Sequence, residues 1–203
     1  MKKISYSLRI GIVGNKDYNK EIFLDYIKRF AIKPSSSESY SDFLVVAEDI
    51  PIKIKVFLTE NLDELINKID EIEKLDVIIL TVNLFDTKSI YQYYKDIIEE
   101  FNETYYFQGI SILVGVDLEQ ILKKKPSENL RISRFNLEDI TRYLNIIYCF
   151  EIFNNNKDIL EIYKKIFNDF IFRFRYSSPE LFDQAQLYGK ALLKEYNGKL
   201  KQF

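Results

Sequence analysis

Apolar positions in this chain fall at two spacings, and the spacing changes back and forth along its length. Tyr6 to Val13 is a short apolar run closing on Gly14, the pattern of a buried strand. Lys20 to Phe30 follows, with Phe23, Ile27 and Phe30 on one helical face. Lys33 to Asp42 is rich in serine and reads as a loop. Phe43 to Ala47 and Ile52 to Leu58 are strand-like, and only Glu48-Asp49-Ile50-Pro51 separates them, which predicts an antiparallel hairpin. Leu62, Leu65, Ile66, Ile69 and Ile72 mark a helix, and Asp76 to Val82 a strongly apolar strand. Ile90, Tyr94, Ile97, Ile98 and Phe101 mark the next helix, and Gly109 to Val116 another buried strand. Glu119 to Phe135 is a charged loop. Asn136 is placed to cap a short helix carrying Ile140, Tyr143 and Leu144. Ile146 to Phe153 is the last strand, and Asn155 or Asn156 caps a helix carrying Ile159, Tyr163, Ile166, Phe167, Phe170, Ile171 and Phe174.

Alternating strands and helices imply an α/β fold: a doubly wound, mainly parallel sheet with helices on both faces. The expectation is a six-stranded sheet with one antiparallel edge strand, supplied by the hairpin. Residues 1–176 form this domain, and 177–203 a helical extension. In the extension Ser178 caps, Pro179 opens the helix, and Asn197-Gly198 can close it. Leu181, Ala185, Tyr188, Leu192 and Tyr196 share one face, widened by Phe182 and Leu193. Such a stripe either packs on its own domain or serves a partner or a second copy.

Composition narrows the function. Charged residues make up 30% but the net charge is only -2, so nothing drives the chain generally towards nucleic acid or anionic membrane. Histidine is absent, which removes the commonest general base and zinc ligand. The one cysteine, Cys149, sits in an apolar run and reads as a buried inert thiol. It fits a reducing compartment. The opening residues lack the apolar core of a signal peptide, no stretch is long and apolar enough to span a membrane, and the common lipid-anchor motifs are missing. A cytoplasmic protein without integral membrane contact is expected. Lys123-Lys124-Lys125-Pro126, with Arg131 and Arg134, reads as a solvated basic loop. Phe172-Arg173-Phe174-Arg175-Tyr176 reads as core aromatics with surface arginines, and Glu99-Glu100 as solvated carboxylates.

Several partial motifs fall at set points in this order. Gly14-Asn15-Lys16-Asp17-Tyr18-Asn19-Lys20-Glu21 lies between a strand and a helix. It matches the phosphate loop G-x-x-x-x-G-K-[ST] at Gly14 and Lys20. Asn19 replaces the second glycine and Glu21 the hydroxyl. Leu58-Thr59-Glu60-Asn61 follows the hairpin, Leu113-Val114-Gly115-Val116-Asp117-Leu118-Glu119 follows the later strand, and Ile152-Phe153-Asn154-Asn155 follows the last. By this order, spacing and partial motif match, the chain resembles the Ras-type small GTPases from about Leu8 to Phe174.

That resemblance implies a nucleotide site near Gly14, Asn15, Lys16, Asn19, Lys20, Glu21, Asp117 and Glu119, and in its active members GTP or GDP with Mg²⁺. It also exposes what is missing. Leu58 and Asn61 stand where the family's D-x-x-G has its Asp and Gly, and Leu62 where the water-positioning Gln stands. The first switch offers only serines, from Ser35 to Ser39. Val116 and Asp117 replace the guanine-reading Asn and Lys, leaving Glu119, or Asp117 in a shifted alignment, as the base-accepting carboxylate. Glu21 sets a negative charge beside the expected phosphates, and at ~4 Å with an effective dielectric of about 20 each like-charge pair costs about 4 kcal/mol. Catalysis in this family is positioning plus electrostatics. The reading is therefore a pseudo-GTPase acting as a protein-binding or assembly module, with no catalytic residue and no cofactor. A divergent GTP-binding switch with slow hydrolysis is the alternative. A receiver-like module stands third, because Gly14-Asn15-Lys16 lacks the acidic pair such a module needs at the end of its first strand.

Overall fold

In the computed structural model the apolar runs lie side by side in one seven-stranded sheet. The structure describes residues 3–14, 20–32, 34–37, 39–69, 75–85, 98, 101, 107–117, 131–153, 155–196 and 203. The strands are β1 (Tyr6–Val13), β2 (Ser35–Ser36), β3 (Ser41–Ala47), β4 (Ile50–Thr59), β5 (Val77–Asn83), β6 (Ile110–Val116) and β7 (Tyr148–Ile152). Their order is β2-β3-β4-β1-β5-β6-β7, and the five from β4 to β7 in that row run parallel. The described helices are α1 (Glu21–Lys28), α2 (Leu62–Lys68), α3 (Arg134–Tyr143), α4 (Asn155–Ser177) and α5 (Pro179–Glu195).

Strands buried on both faces need apolar side chains at successive positions, and these have them. Val77 and Ile79 of β5 pack into the cluster beneath α1 and α4, while Ile78, Leu80 and Val82 pack into the cluster beneath α2 and α3. β6 divides in the same way at Ile112 and Leu113. Tyr163 of α4, fully buried, donates its hydroxyl to Phe23 O of α1 at 3.0 Å and joins the two helices of the first face.

The sheet has one strand more than the sequence predicts. β2 comes from the serine segment read as loop, pairing Ser35 with Asp42 and Ser36 with Ser41. Ile32 N–H donates to Leu44 O at 2.7 Å and Ser37 N–H to Tyr40 O at 2.9 Å, which draws this segment along the outer edge of β3. A ladder of two exposed serines carries no hydrophobic pattern from which to read it. The antiparallel hairpin of β3 and β4 is present, but its turn is tighter than expected. Glu48 and Asp49 turn at φ 46° and 66°, the positive pair of a primed two-residue turn, and Ile50 and Pro51 already belong to β4. Pro51 is tolerated there because pairing with β1 starts only at Ile52.

Local caps fix the helix starts. Asn61 accepts Glu64 N–H at 2.8 Å, and Glu64 reaches back to Glu60 N–H at 2.7 Å. α3 begins with Ser133 as its cap, accepting Asn136 N–H at 3.2 Å, so Asn136 lies inside the helix instead of capping it. Ser178 flanks α5 with Pro179 at its start, but its side chain makes no capping bond. Ile98 and Phe101 are helical and buried; Ile72, Ile90, Tyr94, Ile97 and Asn197-Gly198 lie outside the described residues.

The tail helix packs on β4 and α4. Its inward face is Phe182, Ala185, Gly189 and Leu192. This is rotated from the expected stripe, and Leu181 stays 49% exposed. The cause is Gly189. A Cβ there would stand 1.7 Å from Asp49 O, so the helix backbone rests directly on the hairpin turn. A glycine contributes nothing to an apolar stripe, so the contact that sets the helix rotation was invisible in it. No helix among the described residues is long and apolar enough to cross a membrane.

Two expected outcomes follow. Phe182→Ala should cost about 3–5 kcal/mol of unfolding free energy, because the ring fills core shared with β4 and α4; a urea midpoint equal to that of the wild type would refute the docking. Asp76, before β5, accepts Arg9 N–H at 2.8 Å, and desolvation raises its pKa against that bond and the fields of Arg9 and Arg173. A raised carboxyl pKa makes the folded state hold its proton longer, so the cost appears as pH rises past the unfolded value. Asp76→Asn should therefore raise the melting midpoint at neutral pH, with the gain vanishing below the unfolded carboxyl pKa. Melting curves across pH check it.

Candidate functional site

The chain turns to opposite sides of β1. β4 lies on one flank and β5 on the other, so the carboxyl ends of these three strands form the switch point at which open α/β sheets bind ligands. Gly14 follows β1 and donates its N–H to Thr59 O at 3.1 Å. Thr81 Oγ1 donates to Val13 O at 3.0 Å. A Cβ on residue 14 would lie 1.8 Å from that hydroxyl, which is why the position is glycine.

Lys20 sits at the entry to α1 and folds back into this junction. Its Nζ donates to Gly14 O and Thr59 O, each at 2.7 Å, and the residue is only 4% exposed. Desolvation lowers its pKa, while the carboxylates of Glu21, Glu60 and Glu64 favour the charged form. Glu64 is held below the usual carboxylate range, first by the Glu60 N–H and then by Lys68, which lies 2.7 Å away. Thr59 Oγ1 is buried with no hydrogen-bond partner. Glu60, Asn61 and Glu64, at and beside the positions aligned with D-x-x-G, serve as the start of α2.

At the other end of the same edge stands Asp117, directly after β6. Its Oδ2 accepts Arg131 Nε at 3.1 Å, and Arg131 Nη2 reaches Glu151 Oε2 at 2.6 Å. The guanidinium carbon lies 4.9 Å from the centre of the Phe153 ring. Ile132 N–H donates to Leu84 O at 2.7 Å, which anchors the segment carrying Arg131 across the end of β5.

The sequence-predicted residues thus fall into two groups. Gly14, Lys20 and exposed Glu21 lie around the β1 junction, and Asp117 lies beyond β6; Asn15, Lys16, Asn19 and Glu119 lie outside the described residues. Also outside them are Glu99-Glu100 and Lys123-Lys124-Lys125-Pro126. Arg131, read as part of a solvated loop, is instead paired with two carboxylates, and Arg134 pairs with Glu138 at 2.6 Å. The sequence held one signal for Arg131: acidic Asp117 and Glu151 at the ends of neighbouring strands need a cation between them. Of the interleaved aromatics only Phe174 packs inward, against Tyr6; Phe172 and Tyr176 are exposed. Cys149 is half-buried, and burial raises its thiol pKa, away from nucleophilic use. A cavity of about 400 Å³ lies at the opposite end of the sheet, between Ile78, Gly109, Ser111 and Ile146; none of the sequence-predicted site residues borders it.

No family model matches the chain, and no curated protein matches it. The site must be read from its own chemistry.

Of the candidate nucleotide-site residues that the structure describes, Lys20 and Asp117 are already paired within the chain. The Gly14 N–H is engaged by Thr59 O, as a continuation of the strand pairing. The carboxylates of Glu21, Glu60 and Glu64 act on the lysine, and Asp117, the base-accepting carboxylate in the shifted alignment, holds Arg131. Among the described residues no group of three or more acidic, Cys or His side chains is arranged to hold a metal ion.

Gly14→Ala should destabilise the chain by about 1–3 kcal/mol through overpacking against Thr81. Adding Thr81→Ala should recover part of that loss, although Thr81→Ala alone removes a hydrogen bond. Chemical denaturation of the double-mutant cycle reads the coupling. Strict additivity would mean that the two side chains do not meet.

Proposed function

We propose that the chain is a small-GTPase-like domain that has lost nucleotide turnover and serves as a protein-binding or assembly module in the cytoplasm. The observation that carries this reading is Asp117 bound by Arg131. In the shifted alignment Asp117 is the carboxylate offered for a base, and the chain's own cation answers it; Glu119, offered by the ungapped alignment, lies outside the described residues. The strand order with its early antiparallel hairpin, and the lysine at the Gly14 turn, support the small-GTPase part. Lys20, held by two backbone carbonyls and under the field of Glu21, Glu60 and Glu64, supports the loss of turnover. The inward face of α5 serves this domain's own core, which leaves the aromatic pair Phe172 and Tyr176, with ring centroids 4.8 Å apart on α4, as exposed surface of the kind enriched in protein interfaces.

One observation favours the second reading, a divergent GTP-binding switch with slow hydrolysis. Lys20 Nζ keeps its post beside Gly14 O and needs only exchange partners to meet a phosphate.

Calorimetry with GTP and ATP in the presence of Mg²⁺, and single-turnover hydrolysis, separate the two. The expected outcome is weak binding without preference for guanine and no hydrolysis above background. A Mg²⁺-dependent rate that Lys20→Ala abolishes would overturn the module and establish the switch.

A further inference from the structure

The arginine at the base end of the cleft does more than balance charge. The side chains of Asp117 and Glu151 are 8% and 6% exposed, so both are costly to keep ionised without partners. They come from neighbouring strands. Val116, the residue before Asp117, pairs with Ile152, the residue after Glu151. That register sets the two carboxylates on either side of one position. Arg131 fills the position with its planar fork, one donor to each carboxylate at 3.1 and 2.6 Å. Phe153 covers a face of the guanidinium within cation–π range. Two acceptors and one aromatic face are the parts of a receptor for a flat cation.

A second observation points the same way. Glu151 Oε1 is buried and has no hydrogen-bond partner. Among the described residues two carboxylates face one guanidinium, and Glu151 Oε1 keeps unused acceptor capacity. Such a corner takes in-plane donors and repels phosphate and carboxylate.

We propose that this corner is a binding site for a planar guanidinium-type cation, occupied in this chain by Arg131, so that the place a nucleobase would take is filled from within. The comparison with a base rests on the proposed function above; the cation site itself rests only on the contacts. Arg131 then gives the β6–β7 edge the closure that a bound ligand would give, and the domain holds its shape without nucleotide.

The test is chemical rescue in the full chain. Arg131→Ala should lower the melting midpoint by about 5–10 °C, as expected for a partly exposed cation removed from two buried carboxylates. Methylguanidinium at about 10 mM should restore roughly half of that shift, because a ligand bound only by the folded state stabilises it by mass action. Methylurea, which has the shape without the charge, and methylammonium, which has the charge without the fork, should restore nothing. None of the three should move the wild type. Adding Glu151→Gln to Arg131→Ala should abolish the rescue. If Arg131→Ala does not fold alone, refolding yield with and without methylguanidinium gives the same readout. An unchanged midpoint, a shift that methylguanidinium leaves unrestored, equal restoration by all three compounds, or equal refolding yields would overturn the proposal. Tight GTP binding by the wild type would defeat the proposed function and leave the rescue result standing, so the two failures are distinguishable.

Discussion

Where β1, β4 and β5 end together, the Thr81 side chain leaves no room for a side chain at residue 14, and the rest of the cleft follows from that closeness. Gly14 N–H meets Thr59 O, Thr81 Oγ1 meets Val13 O, and both bonds hold the strand ends in register. The carbonyls of Gly14 and Thr59 then converge on one spot. A convergence of buried acceptors demands donors, and Lys20 supplies them. The lysine in turn is buried enough that desolvation works against its charge, and the carboxylates of Glu21, Glu60 and Glu64 offset that cost.

The far end of the edge obeys the same rule with the charges reversed. Buried Asp117 and Glu151 call for a cation, and Arg131 answers from the segment leading into α3. At both ends the charged groups Lys20, Asp117 and Glu151 find partners within the chain, while Thr59 Oγ1 and Glu151 Oε1 stay buried without one.

The outer edge of the sheet is handled by short, unrelated segments. β2 covers the start of β3, Ile32 binds Leu44 O, and Phe203 N–H binds Val46 O at 3.2 Å. The Phe203 ring packs on Phe30 and Phe167, with centroids 4.1 and 4.8 Å away. An exposed strand edge invites pairing with another chain, and these contacts close it. α5 closes the hairpin end in a similar way, with its backbone at Gly189 laid against Asp49. The segment between α1 and β3 and the residue Phe203 thus guard its antiparallel side.

Much of the architecture was legible because burial leaves a periodic trace. Runs such as Val77–Asn83 and Ile110–Val116 are apolar at successive positions because both faces are covered, and the hairpin was visible as two such runs with a short polar gap. Gly14, Lys20 and Asp117 were legible as motif fragments, and the structure sets them at the end of β1, the entry to α1 and the end of β6. What the sequence alone determined was therefore the order and type of the main elements, since these depend on local spacing and on the need to bury apolar side chains. The tertiary structure alone decided which groups meet. β2 carries no pattern, the face α5 turns inward is chosen by a glycine against a distant turn, and Arg131 is a loop residue until β6 and β7 bring two carboxylates to it. Such pairings join residues far apart in the chain, and their energy comes from removing charges and polar groups from water together, a property of the packed position and not of any residue by itself.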